Sequence, residues 1–140
     1  MLKKIISASL ALSALAFAFP AFATTTPTST QVACVASAVA VRESALDAGI
    51  SAFTQAEGAA YTARASALQQ AYALTPGGNA IKNAVKAAWS AFTSAMKAAR
   101  KTWQTTRSSA WSAFRTSVKA CKAPAVTSDS ANASAEASGN

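Results

Sequence analysis

The stretch IKNAVKAAWSAFTSAMKAARKTWQTTRSSAWSAFRTSVKAC, Ile81 to Cys121, decides the fold. Its large apolar residues are Ile81, Val85, Trp89, Phe92, Met96, Trp103, Phe114, Val118 and Cys121. Most fall three or four apart, or two turns on, which is the spacing of one face of an α-helix. Trp111 lies in the same stretch. With Lys122 it also carries nine Lys and Arg residues, and no Asp or Glu occurs between Glu57 and Asp129. One long, basic, aromatic helix is expected over about 80–122.

Immediately before it, Thr75-Pro76-Gly77-Gly78-Asn79 is the clearest stop in the chain. Pro and two Gly end one helix, and Asn79 is suited to cap the next. Upstream, Val35, Val39, Leu46, Ile50, Phe53 and Leu68 mark one face of a second helix over about 32–74. Gly49 and Gly58 each cost that helix about 1 kcal/mol relative to Ala. Gly58 is the place where it would break, dividing the hairpin into three helices. Residues 24–31 (TTTPTSTQ) read as a polar linker. Pro124 ends the second helix, and the tail from Ala123 to Asn140 is Ala, Ser, Asn and a few acids, too poor in apolar mass to order itself.

The cysteines set the architecture. Cys34 lies about 43 residues before the centre of the Pro-Gly-Gly turn, and Cys121 about 43 after it. Two continuous helices of that length, each roughly 60 Å long at about 1.5 Å per residue, bring the cysteines together when folded back. The fold class expected is therefore all-α: a long antiparallel two-helix hairpin closed by one Cys34–Cys121 disulfide. Paired positions would sum to about 155. That sets Trp89 near Ser66, Met96 near Ala59, Trp103 near Ala52 and Trp111 near Ser44, large residues against small ones. WSAF recurs at Trp89 to Phe92 and Trp111 to Phe114, with ISAF at Ile50 to Phe53. The 22-residue spacing is two eleven-residue repeats, the period of a nearly straight or slightly right-handed coil.

The N-terminus reads as an export signal. Lys3 and Lys4 precede an apolar run from Ile5 to Phe19, and Ala21-Phe22-Ala23 supplies the small-x-small cleavage site. Pro20 before that site favours cleavage over retention as a membrane anchor. The remaining residues, 24–140, would form one small domain of net charge +6. Two cysteines in such a chain fit an oxidising compartment: periplasm, cell surface or medium.

Chemistry has little to work with. The chain has no His, and two bonded cysteines leave zinc no ligand set. The five acids are scattered, and Glu43 and Asp47, four apart, read as a solvated helix face. Serines have no base beside them, and Gly77-Gly78 lacks the continuation of a phosphate loop. No enzyme, cofactor, metal or small-molecule substrate is expected.

Charge is the stronger signal. The first helix sums to −1, while the second holds Lys82, Lys86, Lys97, Arg100, Lys101, Arg107, Arg115, Lys119 and Lys122. At about 100° per residue these nine fall on one flank of the apolar stripe, with an alanine edge, including Ala84, Ala91 and Ala98, on the other. The basic edge is a candidate surface for an anionic envelope polymer, an anionic membrane or a protein partner. The alanine edge is suited to self-association. Arg42, Glu57 and Arg64 interrupt the apolar face of the first helix. The expected register puts Arg42 beside Trp111 and Phe114, Arg64 near Trp89, and Glu57 near Lys97 and Arg100. They are candidate register-fixing charges, the two arginines by stacking on rings.

The segments Val41-Arg42-Glu43-Ser44-Ala45, Thr62-Ala63-Arg64-Ala65 and Ala80-Ile81-Lys82 leading to Trp89, framed by Cys34 and Cys121, resemble a group of uncharacterised exported, Ala/Lys/Arg-rich helical proteins of bacteria. The resemblance covers about residues 32–122. It implies a paired-cysteine helical fold and brings no activity with it. The functional expectation is a structural or interaction protein of the cell envelope. A periplasmic holdase and a membrane-active amphipathic protein are the alternatives.

Overall fold

A computed structural model describes residues 26–74, 77–125, 128–129 and 132–133. The export signal at Lys3 to Ala23 and the turn residues Thr75 and Pro76 lie outside the described residues. Two helices, α1 (Ser29–Tyr72) and α2 (Asn79–Ala120), pack against each other along their length. Cys34 and Cys121 are bonded, with their Cα atoms 5.8 Å apart, at the open end opposite the turn. The chain is the expected disulfide-closed hairpin.

Helix α1 starts at Ser29, three residues earlier than the apolar pattern suggests. Thr28 and Gln31 form a capping box: the Gln31 N–H donates to Thr28 Oγ1 (3.2 Å) and the Thr28 N–H to Gln31 Oε1 (2.9 Å). Two of the unpaired donors of the first turn are satisfied in this way. The helix then runs unbroken through Gly49 and Gly58. Tertiary packing along the whole arm outweighs the local cost of the two glycines. At the other helix start the cap is Gly78, whose φ of 84° favours glycine, and Asn79 is the first helical residue with no capping bond from its side chain. Two residues past the end of α2, Lys122 is in the left-handed region (φ 51°), and Gln31 Nε2 donates to the Lys122 carbonyl at 2.7 Å. That bond ties the start of one helix to the end of the other beside the disulfide.

Both helices bury small residues at eleven-residue intervals. On α1 these are Ala38, Gly49, Ala60 and Ala71; on α2 they are Ala88, Ala99 and Ala110. Eleven residues make three full turns at about 3.67 per turn, so each series stays on one line of a nearly straight helix. Rings on the opposing arm use the space: Phe114 clusters with Ala38, and an added Cβ on Gly49 would lie 2.9 Å from the Trp103 ring. Large-into-small packing thus operates along the hairpin, and the contacts Cys34–Cys121, Arg42–Trp111 and Arg64–Trp89 all follow the paired-position rule within a few residues.

The apolar face differs from expectation at two positions. Ile50 and Trp89 are each 47 % exposed. Trp111, by contrast, is buried although it lies round the helix towards the basic edge. Arg42 lies over its ring, and Ala133 packs against the cluster it forms with Ala38 and Phe114.

Candidate functional site

The two Arg-bearing positions of α1 repeat the same geometry. The Arg42 guanidinium carbon lies 4.3 Å from the Trp111 ring centre and 4.4 Å from that of Phe114. The Arg64 carbon lies 4.6 Å from Trp89 and 4.4 Å from Phe92, with Tyr61 at 4.9 Å. Each Trp–Phe pair is edge-to-face, at 5.7 Å and 88° in one cluster and 6.0 Å and 89° in the other. Trp and Phe three apart on one helix present two ring surfaces to a single planar cation. Each WSAF motif therefore clasps one arginine of the opposing helix, and Arg42 and Arg64 are spaced by the same 22 residues as the motifs.

The Arg42 cluster is the more enclosed. Arg42 is 6 % exposed, bonds Glu43 through Nε (2.8 Å) and Nη2, and bonds Asp129 through Nη1 (2.7 Å). The hydrogen bond from Arg42, and its charge, hold the Asp129 carboxyl below the usual carboxylate range, against the opposing effect of partial burial. The same bond to Asp129, and those to Glu43, hold the Arg42 pKa above its ordinary value. Ala133 packs against the buried cluster formed by Ala38, Trp111 and Phe114. The composition of this tail, poor in apolar mass, predicts no contact with the hairpin. A buried cation supplies the attraction instead.

Along α2, Lys82, Lys86, Lys97, Arg100, Lys101, Arg115, Lys119 and Lys122 are exposed, and Arg107 is half-buried. They form an edge roughly 60 Å long at about 1.5 Å per residue. Three of them converge. Lys97, Arg100 and Lys101 line a groove of about 740 Å³ with Tyr61, Phe92, Met96 and Glu57. The paired-position rule sets Glu57 against Lys97 and Arg100 across the hairpin. Glu57 shares their groove, yet among the described residues no ion pair joins it to either. The opposite side of the hairpin is apolar. A groove of about 550 Å³ runs past Gly49, Ala52 and Trp103, and another of about 450 Å³ past Ala71, Leu74 and Ala88.

Among the described residues no group of three or more His, Cys, Asp or Glu is placed to hold a metal, and no helix is long and apolar enough to cross a membrane. Comparison of the chain with protein-family models, curated proteins and solved structures finds no match.

Proposed function

We propose that this protein is an exported, non-enzymatic interaction module of the bacterial cell envelope that binds an anionic polymer along the basic edge of α2. The observation behind this reading is the exposure of eight of that edge's nine cations. Glu43 and Asp129, two acids within reach of the hairpin, are engaged by Arg42 instead. An edge of this kind attracts a polyanion through release of its counterions. Export is supported by the N-terminal sequence and by a disulfide of the kind that persists in oxidising compartments.

The membrane-active alternative needs the aromatic seam at the lipid surface. Trp111, Phe114 and Met96 are already buried in the hairpin, so the polymer reading is favoured. The test is binding of a polyphosphate of defined length to the oxidised protein at several salt concentrations. Affinity should fall linearly on logarithmic axes as salt rises, and Lys82→Gln with Lys86→Gln should weaken it. Binding that ignores both salt and these substitutions refutes the reading. A salt-resistant blue shift of Trp emission on adding anionic vesicles moves the membrane reading first. Suppression of client aggregation at stoichiometric amounts, without polyphosphate binding, moves the holdase reading first.

Self-association is a second reading, favoured by the two grooves on the alanine side, which carry no charged side chain. Sedimentation showing a monomer at high concentration removes it.

A further inference from the structure

The eleven-residue pattern is broken once, at its centre. Trp89 and Trp111 occupy one row of α2, and the position midway between them, eleven residues from each, is Arg100. On α1 the position midway between Arg42 and Arg64 is Phe53. The central repeat therefore exchanges the two residue types. In the outer repeats a Trp ring of α2 lies beneath an α1 guanidinium. In the central one no ring occupies that row, and Arg100 is exposed. The groove of about 740 Å³ opens there.

Its walls are of two kinds. Phe92, the buried Met96 and the Tyr61 ring, which is tilted against Phe92 at a centroid distance of 5.0 Å, supply an apolar surface. Lys97, Arg100 and Lys101 supply three exposed cations from α2, and Glu57 stands on the α1 side. Among the described residues none of these four charges is in an ion pair with another. In the row of Arg100 the groove thus lacks the Trp ring that the outer repeats carry there, and it holds a net excess of two positive charges.

We propose that this groove is a discrete binding site for an amphiphilic anion with a planar apolar body. The body would lie against Tyr61, Phe92 and Met96 in the row left open by Arg100. The anionic group would meet Lys97, Arg100 and Lys101, on the side away from Glu57. A groove of this volume is within the range of small-ligand sites, and the polar groups that fix orientation converge on one side of an apolar floor. The inference rests on the exposed basic edge used above, but it asks for a single bound molecule in place of a polymer.

The test uses the full oxidised protein and the fluorescent aromatic sulfonate 8-anilinonaphthalene-1-sulfonate, with N-phenyl-1-naphthylamine as its uncharged analogue. The sulfonate should saturate at one per chain and bind about tenfold more tightly than the analogue, as expected for a charge facing several cations beside an apolar surface. Arg100→Trp restores the row and fills the groove, so binding should fall by at least about tenfold, while far-UV helicity is kept. Arg100→Ala removes the charge without filling the space and should weaken binding less. Lys101→Glu should weaken it strongly, and Lys119→Glu, an identical charge change outside the groove, should not. Equal affinity for the uncharged analogue, equal effects of Arg100→Trp and Arg100→Ala, or equal effects of Lys101→Glu and Lys119→Glu would each overturn the site. Polyphosphate binding on the same variants separates the two readings: Arg100→Trp should lower it only as much as Lys82→Gln does. If the unsubstituted protein binds polyphosphate but shows no saturable sulfonate binding, the groove alone is refuted.

Discussion

The Arg42 guanidinium and the Asp129 carboxylate are bonded at 2.7 Å although 87 residues separate them in sequence. The bond draws the chain beyond α2 back over the open end, above the Trp111 and Phe114 rings on which Arg42 lies. Arg42 is thus held by charge on one side and by aromatic surface on the other, and burying it is tolerable only because both are present.

Replacing Arg42 should therefore cost more than replacing its acidic partner. Arg42→Ala removes the stacking, the packing and the counter-charge together, and should lower stability by about 2–4 kcal/mol. Asp129 is 39 % exposed, so Asp129→Ala should cost only about 0.5–1 kcal/mol. Arg42→Lys should fall between them, because an ammonium neither forks between two carboxylates nor stacks flat. Thermal melts of the three variants give the order. A larger loss in Asp129→Ala than in Arg42→Ala would contradict it.

The Asp129 pKa also sets a pH dependence. Its carboxyl is held below the ordinary value of 3.8 in the folded chain, so the unfolded chain takes up the proton first as pH falls. The stabilisation is complete well above that ordinary value and is lost as pH falls through the lower folded value. Melting temperature should therefore drop below about pH 4, and drop less steeply in Asp129→Asn, which has no such proton to bind. Parallel acid titrations of the two proteins check this.

The disulfide should carry a large share of the stability. Cys34 and Cys121 are 87 residues apart, and closing a loop of that length contributes about 4–5 kcal/mol by the chain-entropy estimate. Reduction, or paired Cys34→Ser and Cys121→Ser substitution, should shift the denaturant midpoint strongly downward, since a two-helix hairpin buries little else. A midpoint unchanged on reduction would show that the helices hold themselves.

The two mid-helix glycines of α1 should respond in opposite directions to alanine. An added Cβ at Gly58 meets nothing within 4 Å, so Gly58→Ala should stabilise by about 0.5–1 kcal/mol through helix propensity. At Gly49 the same Cβ would lie 2.8 Å from Thr106 Cγ2 and 2.9 Å from Trp103 Cζ3. Overpacking against a stiff β-branched side chain and a ring should outweigh the propensity gain and leave Gly49→Ala less stable by about 1 kcal/mol. Melting both variants beside the parent gives the sign at each site.

The residues that announce the fold are those whose message is local or periodic. The helical spacing of Ile81 to Cys121, the Pro-Gly-Gly stop and two cysteines equidistant from it lead to the hairpin, its disulfide and its register. The capping box at Thr28 and Gln31 was also legible, as a Thr-x-x-Gln signature inside what composition presents as a linker. So was the matching 22-residue spacing of Arg42 with Arg64 and of the two WSAF motifs, which predicts the paired clasps.

Sequence by itself determined the two arms, their closure and the concentration of positive charge on one of them, because periodicity and the spacing of Pro, Gly and Cys act through local geometry. Tertiary structure alone decided which charges are occupied and which are open. Asp129 reaches back to Arg42 from beyond α2, and Glu57 stands beside Lys97 and Arg100 without an ion pair to either. These outcomes depend on the angle at which two helices meet and on where the chain travels after the last turn. Neither is written in the spacing of either helix, because each is settled by the other arm's surface.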